Sequence, residues 1–544
     1  MANKKHKQSL LSGVLAGSLG IFISKALGLF YVVPLNSLAG GSNMFYYSVT
    51  YSYYDLLLKV CSAGIPFAIA ALVAKYVDRG DYKSAILIKK LGTSFIMALS
   101  FTVTILFMLM SKNIASHVLG PTASIEDIKQ LIALFRILLL ALVFVPLLSS
   151  IRGYYQGLKR MDIYATSQVL EQFIRVFSIV FLGFLAVKVF NFDGIYAIYM
   201  AILAAGISAI LTILYFVLAS KDENLEIEKK IAEQESEAIA KDVAMKEIIS
   251  LGVPYVVISF LGTCSPLIDS NFFISYATRI GMDYEQAKLA LGVVQTNCNK
   301  IASIPQVLTL GFSAGLVPYL TESYERRDNI ALSNQLKDIF AMVVFILLPV
   351  ASAIFFFAKP IYAIMYGTSQ LDTTSPLLAT YALVAFTDTI APIFSSVLIT
   401  LRSRKKAIVF LIITLIIKFL TFFMLVPIFN AYGMILSTAC ASFAMIIFGS
   451  IFLNHNYGFS LLRLANISIR TLITTLISML PFVLINTFIS MPYSGRLVVM
   501  MWFMVETMLM ILIYVVVACL IHLPQDVFHI EKLSLRSILK YFKH

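Results

Sequence analysis

The sequence predicts an all-α polytopic membrane protein, on its composition, its length and the placement of its basic residues. Of 544 residues, 59% are hydrophobic and 13% are charged, whereas about a quarter of a soluble domain is charged. This composition excludes a soluble globular protein, a disordered chain and a nucleic-acid-binding module, despite the net charge of +13. Because one membrane helix needs roughly 20 apolar residues, the chain accommodates about fourteen spans with their connections.

Apolar windows locate these predicted spans. The basic residues before the first window resemble a signal-peptide start, but the window is too long and a polytopic chain follows it, so we interpret it as a retained anchor. The fourteen windows are 9–34, 44–74, 86–111, 129–150, 163–187, 194–219, 247–277, 288–320, 336–358, 376–400, 407–427, 431–453, 467–489 and 497–521.

The basic residues predict the orientation. With both termini placed in the cytoplasm, the inner segments hold 29 of the 42 Lys and Arg residues and the outer segments hold 7. Cytoplasmic loops of membrane proteins collect Lys and Arg. The sequence therefore predicts an even number of spans with both termini cytoplasmic.

Two related halves are indicated by repeated segments. Residues 62–66 end the second span with Ser-Ala-Gly-Ile-Pro, and residues 313–318 end the eighth with Ser-Ala-Gly-Leu-Val-Pro. Six spans per half is an even number, so the halves would be parallel repeats, as in many transporters. We predict six-helix lobes at 1–219 and 247–453, a linker at 220–246, expected to be a solvated spacer, and two extra helices with a basic tail at 454–544.

Eleven ionisable residues lie within the predicted spans. Each would cost about 2.5–3.5 kcal/mol at the centre of the lipid, so they must meet partners or a watered cavity. Asp55 with Lys59, and Glu171 with Arg175, are four residues apart and can pair along one helix. The full set is Lys25, Lys59, Arg136, Arg175, Lys300, Lys418, Asp55, Glu171, Asp269, Asp388 and Glu506.

Lys25 and Lys300 have no acid three or four residues away. They therefore line a cavity or belong to structural ion pairs that the sequence does not reveal. A cationic cavity favours an anion such as phosphate, on which Lys acts as a point charge. We predict Lys25, Lys59 and Lys300 as the substrate-binding set, and we expect Arg136 and Lys418, nearer span ends, to snorkel. The supporting residues are Asp55, Asn299, Arg136, Asp269 and Asp388.

Metal and disulfide chemistry are not indicated. The six histidines are scattered, and the five cysteines lie in apolar stretches without a CxxC pair. We therefore predict no metal site and no catalytic residue.

Several motifs carry a resemblance to a known family. The segments 24–28, 63–64, 152–157 and 299–305 resemble the polysaccharide-flippase branch of the multidrug/oligosaccharidyl-lipid/polysaccharide exporter superfamily. Within that branch the chain is most similar to the MurJ and SpoVB-like lipid II flippases of Gram-positive bacteria, over nearly its whole length.

The resemblance implies a transporter, not an enzyme, in the bacterial plasma membrane. It implies movement of lipid II, the undecaprenyl-pyrophosphate-linked peptidoglycan precursor, from the inner to the outer leaflet by alternating access. Lys25 and Lys300 match family arginines, and Lys59 lies near another, whereas Tyr31 and Asn43 stand where the family has an arginine and an acid. The last two spans would line a groove for the lipid tail. No cofactor is expected, the membrane potential or an ion gradient would drive transport, and we expect a monomer.

Three alternatives remain open at this point. The chain could move another lipid-linked polysaccharide or a spore-wall unit. It could export drugs in exchange for a cation, with Asp55, Asp269 or Asp388 holding the proton or Na⁺. A membrane enzyme is disfavoured because the outer connections are short and carry no acid pair or nucleophile arrangement.

Overall fold

A computed structural model describes residues 23–24, 27–28, 31–219, 221–368, 370–488 and 495–528, apart from the side chains of 222–224, 307–319, 461, 463 and 487. The described chain is helical throughout, with short turns and no strand. The predicted all-α membrane fold is confirmed. The helices form two compact units that divide between Thr296 and Asn297.

The first unit contains ten α-helices in the described residues. They are α1 (Val32–Ala39), α2 (Met44–Ser62), α3 (Ile65–Val77), α4 (Tyr82–Leu119), α5 (Ile125–Gly157), α6 (Met161–Phe184), α7 (Ile195–Ala219), α8 (Lys221–Glu233), α9 (Lys241–Arg279) and α10 (Tyr284–Gly292). A 3₁₀ turn at Gly41–Asn43 precedes α2, and π-helical turns at Leu185–Val189 and Val293–Cys298 follow α6 and α10.

The second unit contains nine further helices in the described residues. A stack of Phe340 on Phe394, with ring centroids 4.2 Å apart, lies in its core, and Phe459 meets Phe340 edge-on. The helices are α11 (Asn299–Glu325), α12 (Asn329–Phe356), α13 (Ala358–Tyr366), α14 (Leu371–Thr400), α15 (Arg404–Phe429), α16 (Ala431–Tyr457), α17 (Leu461–Phe488), α18 (Arg496–Leu520) and α19 (Leu523–Phe528).

Twelve helical segments of the described chain are long and apolar enough to cross a membrane. They coincide with twelve of the fourteen predicted spans. The first predicted span, 9–34, lies largely outside the described residues. The eighth, 288–320, corresponds to α10, the π turn after it and α11, whose side chains are described only in part.

The second predicted span is two helices, because the chain breaks between α2 and α3. A Cβ atom added at Gly64 would lie 2.0 Å from the carbonyl oxygen of Gly252 on α9. Only glycine permits this close approach of two backbones. The backbone of residues 313–318, the matching segment, lies within the continuous helix α11. The two segments share sequence but differ in backbone, and the internal repeat stays a prediction.

The motif at residues 152–157 packs α5 against α3. A Cβ atom at Gly153 would lie 2.4 Å from the carbonyl oxygen of Pro66, and one at Gly157 would lie 2.7 Å from that of Ala70. Both glycines therefore let α5 approach the α3 backbone. Tyr154 between them is buried.

The segment between α7 and α9 is partly docked. Its first half is the surface helix α8, and α9 begins at Lys241 instead of residue 247. The Gln234 side chain accepts from the Lys83 amide at 3.0 Å, and the Ile239 amide donates to Ser84 Oγ at 2.9 Å. Most of residues 231–240 are exposed, and Gln234 and Ile239 alone make these contacts with the start of α4. The solvated spacer stays a prediction.

The compact units do not divide where the repeat predicts a boundary. α9 packs against α2, α3 and α4, and α10 packs against α2, so both belong to the first unit. The predicted six-helix lobes were defined by similar sequence segments in the two halves of the chain, not by contacts. Their boundary at residues 246/247 therefore stays a prediction.

Candidate functional site

One face of α2 carries exposed polar side chains through a membrane-spanning segment. Tyr51, Asp55 and Lys59 follow one another at four-residue intervals. Lys59 Nζ lies 3.8 Å from Asp55 Oδ1, and the two side chains are 42% and 41% exposed. The predicted pairing along the helix is confirmed. Since ion pairs in membrane proteins face a watered cavity or protein, not lipid, this polar α2 face is a candidate binding surface.

The adjoining side of α2 is fixed by hydrogen bonds to α9. Ser270 Oγ and Ser52 Oγ both donate to Gln295 Oε1, at 2.9 and 3.3 Å. Tyr53 donates to Asn271 Oδ1 at 2.7 Å. Gln295 lies in the π turn after α10, a backbone form that often marks functional positions. The sequence does not single out Gln295, since nothing in its spacing separates it from other polar span residues.

Glu171 on α6 forms ion pairs with two arginines. The predicted pair of Glu171 with Arg175 is present. Arg152, at the end of α5, places Nη1 2.6 Å from the other carboxylate oxygen of Glu171. Arg152 also donates from Nε to Ser167 Oγ at 3.0 Å and from Nη2 to the Ser167 carbonyl at 2.7 Å. Arg152 begins the motif at residues 152–157, but sequence spacing does not reveal its contact with Glu171.

In the second unit, Lys300 lies in the first turn of α11 and is half-buried. Its carbonyl accepts from Ser303 Oγ at 2.6 Å. Asn299 beside it is exposed, whereas Asn297 is buried and donates to Tyr362 Oη at 2.9 Å. The start of α11 is therefore polar, as its sequence indicates, and the binding role of Lys300 stays a prediction.

Lys418 contradicts its predicted behaviour. The side chain is fully buried, so the prediction that it snorkels is wrong. The reason is that α16 supplies acceptors: Nζ donates to Ser437 Oγ at 2.9 Å, to Thr438 Oγ1 at 2.7 Å and to the Met434 carbonyl at 3.2 Å. Asp388 on α14 accepts from Ser442 and lies within electrostatic range of Lys418.

The other predicted site residues occupy separate places. Lys25 lies outside the described residues. Arg136 is exposed on α5, and Asp269 is buried on α9. Tyr31 shares a 2.6 Å hydrogen bond with Tyr47. Among the residues that the structure describes, no three His, Cys, Asp or Glu side chains form a group able to hold a metal ion.

Twelve helical segments of the described chain that are long and apolar enough to cross a membrane define a multi-pass membrane protein. The chain belongs to the polysaccharide biosynthesis protein family, which matches residues 10–324. It is 28% identical to the lipid II flippase MurJ of Bacillus subtilis (strain 168) over 463 residues, covering 83% of this chain and 84% of that protein.

Two solved structures share the fold. One is the lipid II flippase MurJ in an inward closed conformation, with a TM-score of 0.69 and 18% identity, covering 94% of this chain and all of that one. The other is an inward-facing multidrug resistance MATE family transporter, with a TM-score of 0.64 and 15% identity over 80% of this chain and 94% of that one. The predicted placement in the exporter superfamily is confirmed. The chain is a transporter of the flippase type and not an enzyme.

Proposed function

We propose that this protein is a flippase for lipid-linked sugars and that its cargo is lipid II, moved from the inner to the outer leaflet. The observation that carries the proposal is the polar α2 face, where Tyr51, Asp55 and Lys59 stay exposed on a membrane-spanning helix. The relative named as a lipid II flippase, 28% identical over most of both chains, supports the choice of cargo.

The head group would be recognised by cations. Lys59 and Lys300, with Lys25, would bind the pyrophosphate as point charges. An exposed ion pair is worth about 0–1 kcal/mol, so a phosphate could displace Asp55 from Lys59 at little cost. Tyr51, one turn before Asp55, offers an aromatic ring beside this position.

Transport would proceed by alternating access, as in transporters built from parallel repeats. The head group would enter from the cytoplasm while the tail stays in lipid, and the protein would then expose the head group to the outside. An inside-negative potential favours outward movement of an anion by about 2.3 kcal/mol per charge per 100 mV. An ion gradient is the other candidate driving force.

Complementation tests the cationic role. Lys300→Glu and Lys59→Glu are introduced into the gene that rescues cells depleted of their own lipid II flippase. We expect both to lose rescue, and Lys300→Arg to keep it. The matched control is Lys230→Glu on α8, whose side chain is 41% exposed. Full rescue by Lys300→Glu at equal expression would rule out a cationic role there.

A second candidate, a cation-coupled multidrug exporter, is favoured by the MATE fold neighbour and by the half-buried acid Asp388 on α14. Titration of the purified protein separates the two. The ligands are lipid II, undecaprenyl pyrophosphate, a capsule-type lipid sugar and an organic cation. Binding of the organic cation with none of the lipid pyrophosphates would favour the exporter.

A further inference from the structure

The cluster around Glu171 contains two arginines and one carboxylate. Arg152 donates hydrogen bonds from Nε and from both Nη atoms to Ser167 and Glu171. Arg175 binds the second oxygen of the same carboxylate. One carboxylate thus faces two guanidinium groups, so these three side chains together carry a net charge of +1.

Arg175 is incompletely bonded. In the described part of the chain it donates only to Glu171 and, at 3.4 Å, to Ser208 Oγ. A guanidinium group has five N–H donors. Its side chain is 18% exposed. A buried charge without full compensation is unfavourable, and a bound anion would supply the missing compensation.

The hydroxyl of Tyr54 gives a second, independent indication. Tyr54 is 4% exposed, and its oxygen has no hydrogen-bond partner among the described residues. The group lies within electrostatic range of both Arg175 and Glu171. Most buried polar side-chain atoms are hydrogen-bonded, so an unpartnered hydroxyl calls for an explanation such as a ligand.

Tyr51 connects this cluster to the polar α2 face. Its ring lies 5.7 Å from that of Tyr54 and stacks on Tyr47 at 5.6 Å. Tyr51 is 37% exposed, and it also lies within electrostatic range of Arg175. The ring of Tyr51 would therefore lie between a ligand on the polar α2 face and Arg175.

We propose that Arg175 and the Tyr54 hydroxyl form an anion-binding position inside the first unit that takes a phosphate group of the transported lipid. The assignment to the transported lipid rests on the proposed function. The guanidinium and the phenol would both donate to the phosphate, as arginine does in bidentate phosphate pairs. Arg152 is a positioning residue: it shares the Glu171 carboxylate with Arg175, so that carboxylate does not neutralise Arg175 alone.

Tyr54→Phe is the sharpest test. Removing a hydroxyl that has no protein partner should leave the thermal unfolding temperature unchanged, because no hydrogen bond is lost. If the hydroxyl donates to phosphate, affinity of the purified full chain for undecaprenyl pyrophosphate falls by about 3–10-fold. Arg175→Gln should lower that affinity by at least tenfold, as expected for loss of a charge-assisted bond.

Removing the charges of Arg152 and Glu171 one after the other separates an effect on anion affinity from an effect on the stability of the protein. Arg152→Gln leaves Glu171 to neutralise Arg175, so affinity for undecaprenyl pyrophosphate should fall. Adding Glu171→Gln removes that neutralisation, so the double variant should bind several-fold more tightly than Arg152→Gln alone, while its stability does not improve. The control is Lys159→Gln, whose exposed pair with Asp78 lies at the end of α5 and should bind like the parent.

Three probes are titrated in parallel: undecaprenyl pyrophosphate, inorganic pyrophosphate and vesicles of phosphatidylglycerol. Equal affinity of the parent, Tyr54→Phe and Arg175→Gln for all probes would overturn the site. Equal dependence on Arg175 for phosphatidylglycerol would overturn its assignment to the transported lipid. If inorganic pyrophosphate binds with the expected dependence and the polyprenyl lipid binds no tighter, the anion site stands and the proposed cargo fails.

Discussion

Asp127 and the buried Lys288 form an ion pair across 161 residues of sequence, with 3.1 Å between Oδ1 and Nζ, and Lys288 also pairs with Glu285 at 3.1 Å. Asp127 lies in the first turn of α5 and Lys288 on α10. Tyr46 donates to the same carboxylate, and Tyr284 donates to its other oxygen at 3.3 Å. One carboxylate thereby ties together the starts of α2, α5 and α10.

The first prediction concerns this ion pair. Lys288 is 5% exposed, so Lys288→Met should leave a poorly compensated carboxylate inside the first unit. Breaking a buried pair by removing one partner costs about 3–5 kcal/mol. We expect a marked fall in the thermal unfolding temperature of the purified protein, and partial recovery in Asp127→Asn/Lys288→Met.

A matched control is Lys359→Met, which breaks the exposed pair of Lys359 with Asp372, at 2.9 Å. Exposed pairs contribute about 0–1 kcal/mol. Equal effects of Lys288→Met and Lys359→Met would contradict the importance assigned to the buried pair.

The second prediction concerns the break between α2 and α3. Gly64→Ala would place Cβ 2.0 Å from the Gly252 carbonyl, so the helices must move apart. Overpacking of this kind costs about 1–3 kcal/mol. Gly262→Ala on α9 meets no atom within 4 Å and should be neutral or stabilising by up to about 1 kcal/mol. Thermal unfolding of both variants measures the difference, and a Gly64→Ala protein as stable as Gly262→Ala would refute the close-approach argument.

The fold was predictable because membrane spans are long, apolar and flanked by biased charge. The pairs Asp55–Lys59 and Glu171–Arg175 were also predictable, since four residues make one helical turn. Contacts between helices were not. Arg152 reaches Glu171 from α5, and no local spacing encodes which helices become neighbours.

The same reasoning explains the wrong prediction for Lys418. Its distance from a span end suggested snorkelling, but its acceptors lie on α16, about 20 residues away. A sequence indicates the depth of a residue in a span but not which face of the helix meets another helix. The burial of the Lys418 side chain is therefore visible only in the structure.

The third prediction concerns the docked segment before α9. Burial raises the pKa of Asp81, but hydrogen bonds from Ser84 and Gln234 and the charge of Lys83 outweigh it and hold that pKa below its usual range. A depressed carboxyl pKa in the folded state gives stability that is present above the unfolded pKa and is lost as pH falls through the folded pKa. The docking of Gln234 should thus persist at neutral pH and weaken in acid.

A spin label at Glu237→Cys measures this. Its mobility should rise as the pH falls below the usual range of a carboxyl group. Asp81→Asn should raise it already at neutral pH and flatten the dependence on pH. Asp193→Asn, in the loop before α7, is the control and should leave the label unchanged. A label equally immobile in the Asp81→Asn protein would show that Asp81 does not hold the segment.

The last prediction concerns the buried ammonium in the second unit. Lys418→Met removes a cation from the range of Asp388 and leaves that carboxylate in an apolar helix bundle. The hydroxyls of Ser437 and Thr438 still donate to the Met434 carbonyl at 2.8 and 3.2 Å, so they need no replacement partner. The loss should therefore come through Asp388, and Asp388→Asn should offset much of it. A double-mutant cycle of thermal unfolding should give a coupling within the range of about 0.5–3 kcal/mol found for contacting groups. Additive effects of Lys418→Met and Asp388→Asn would show that the two charges do not stabilise each other.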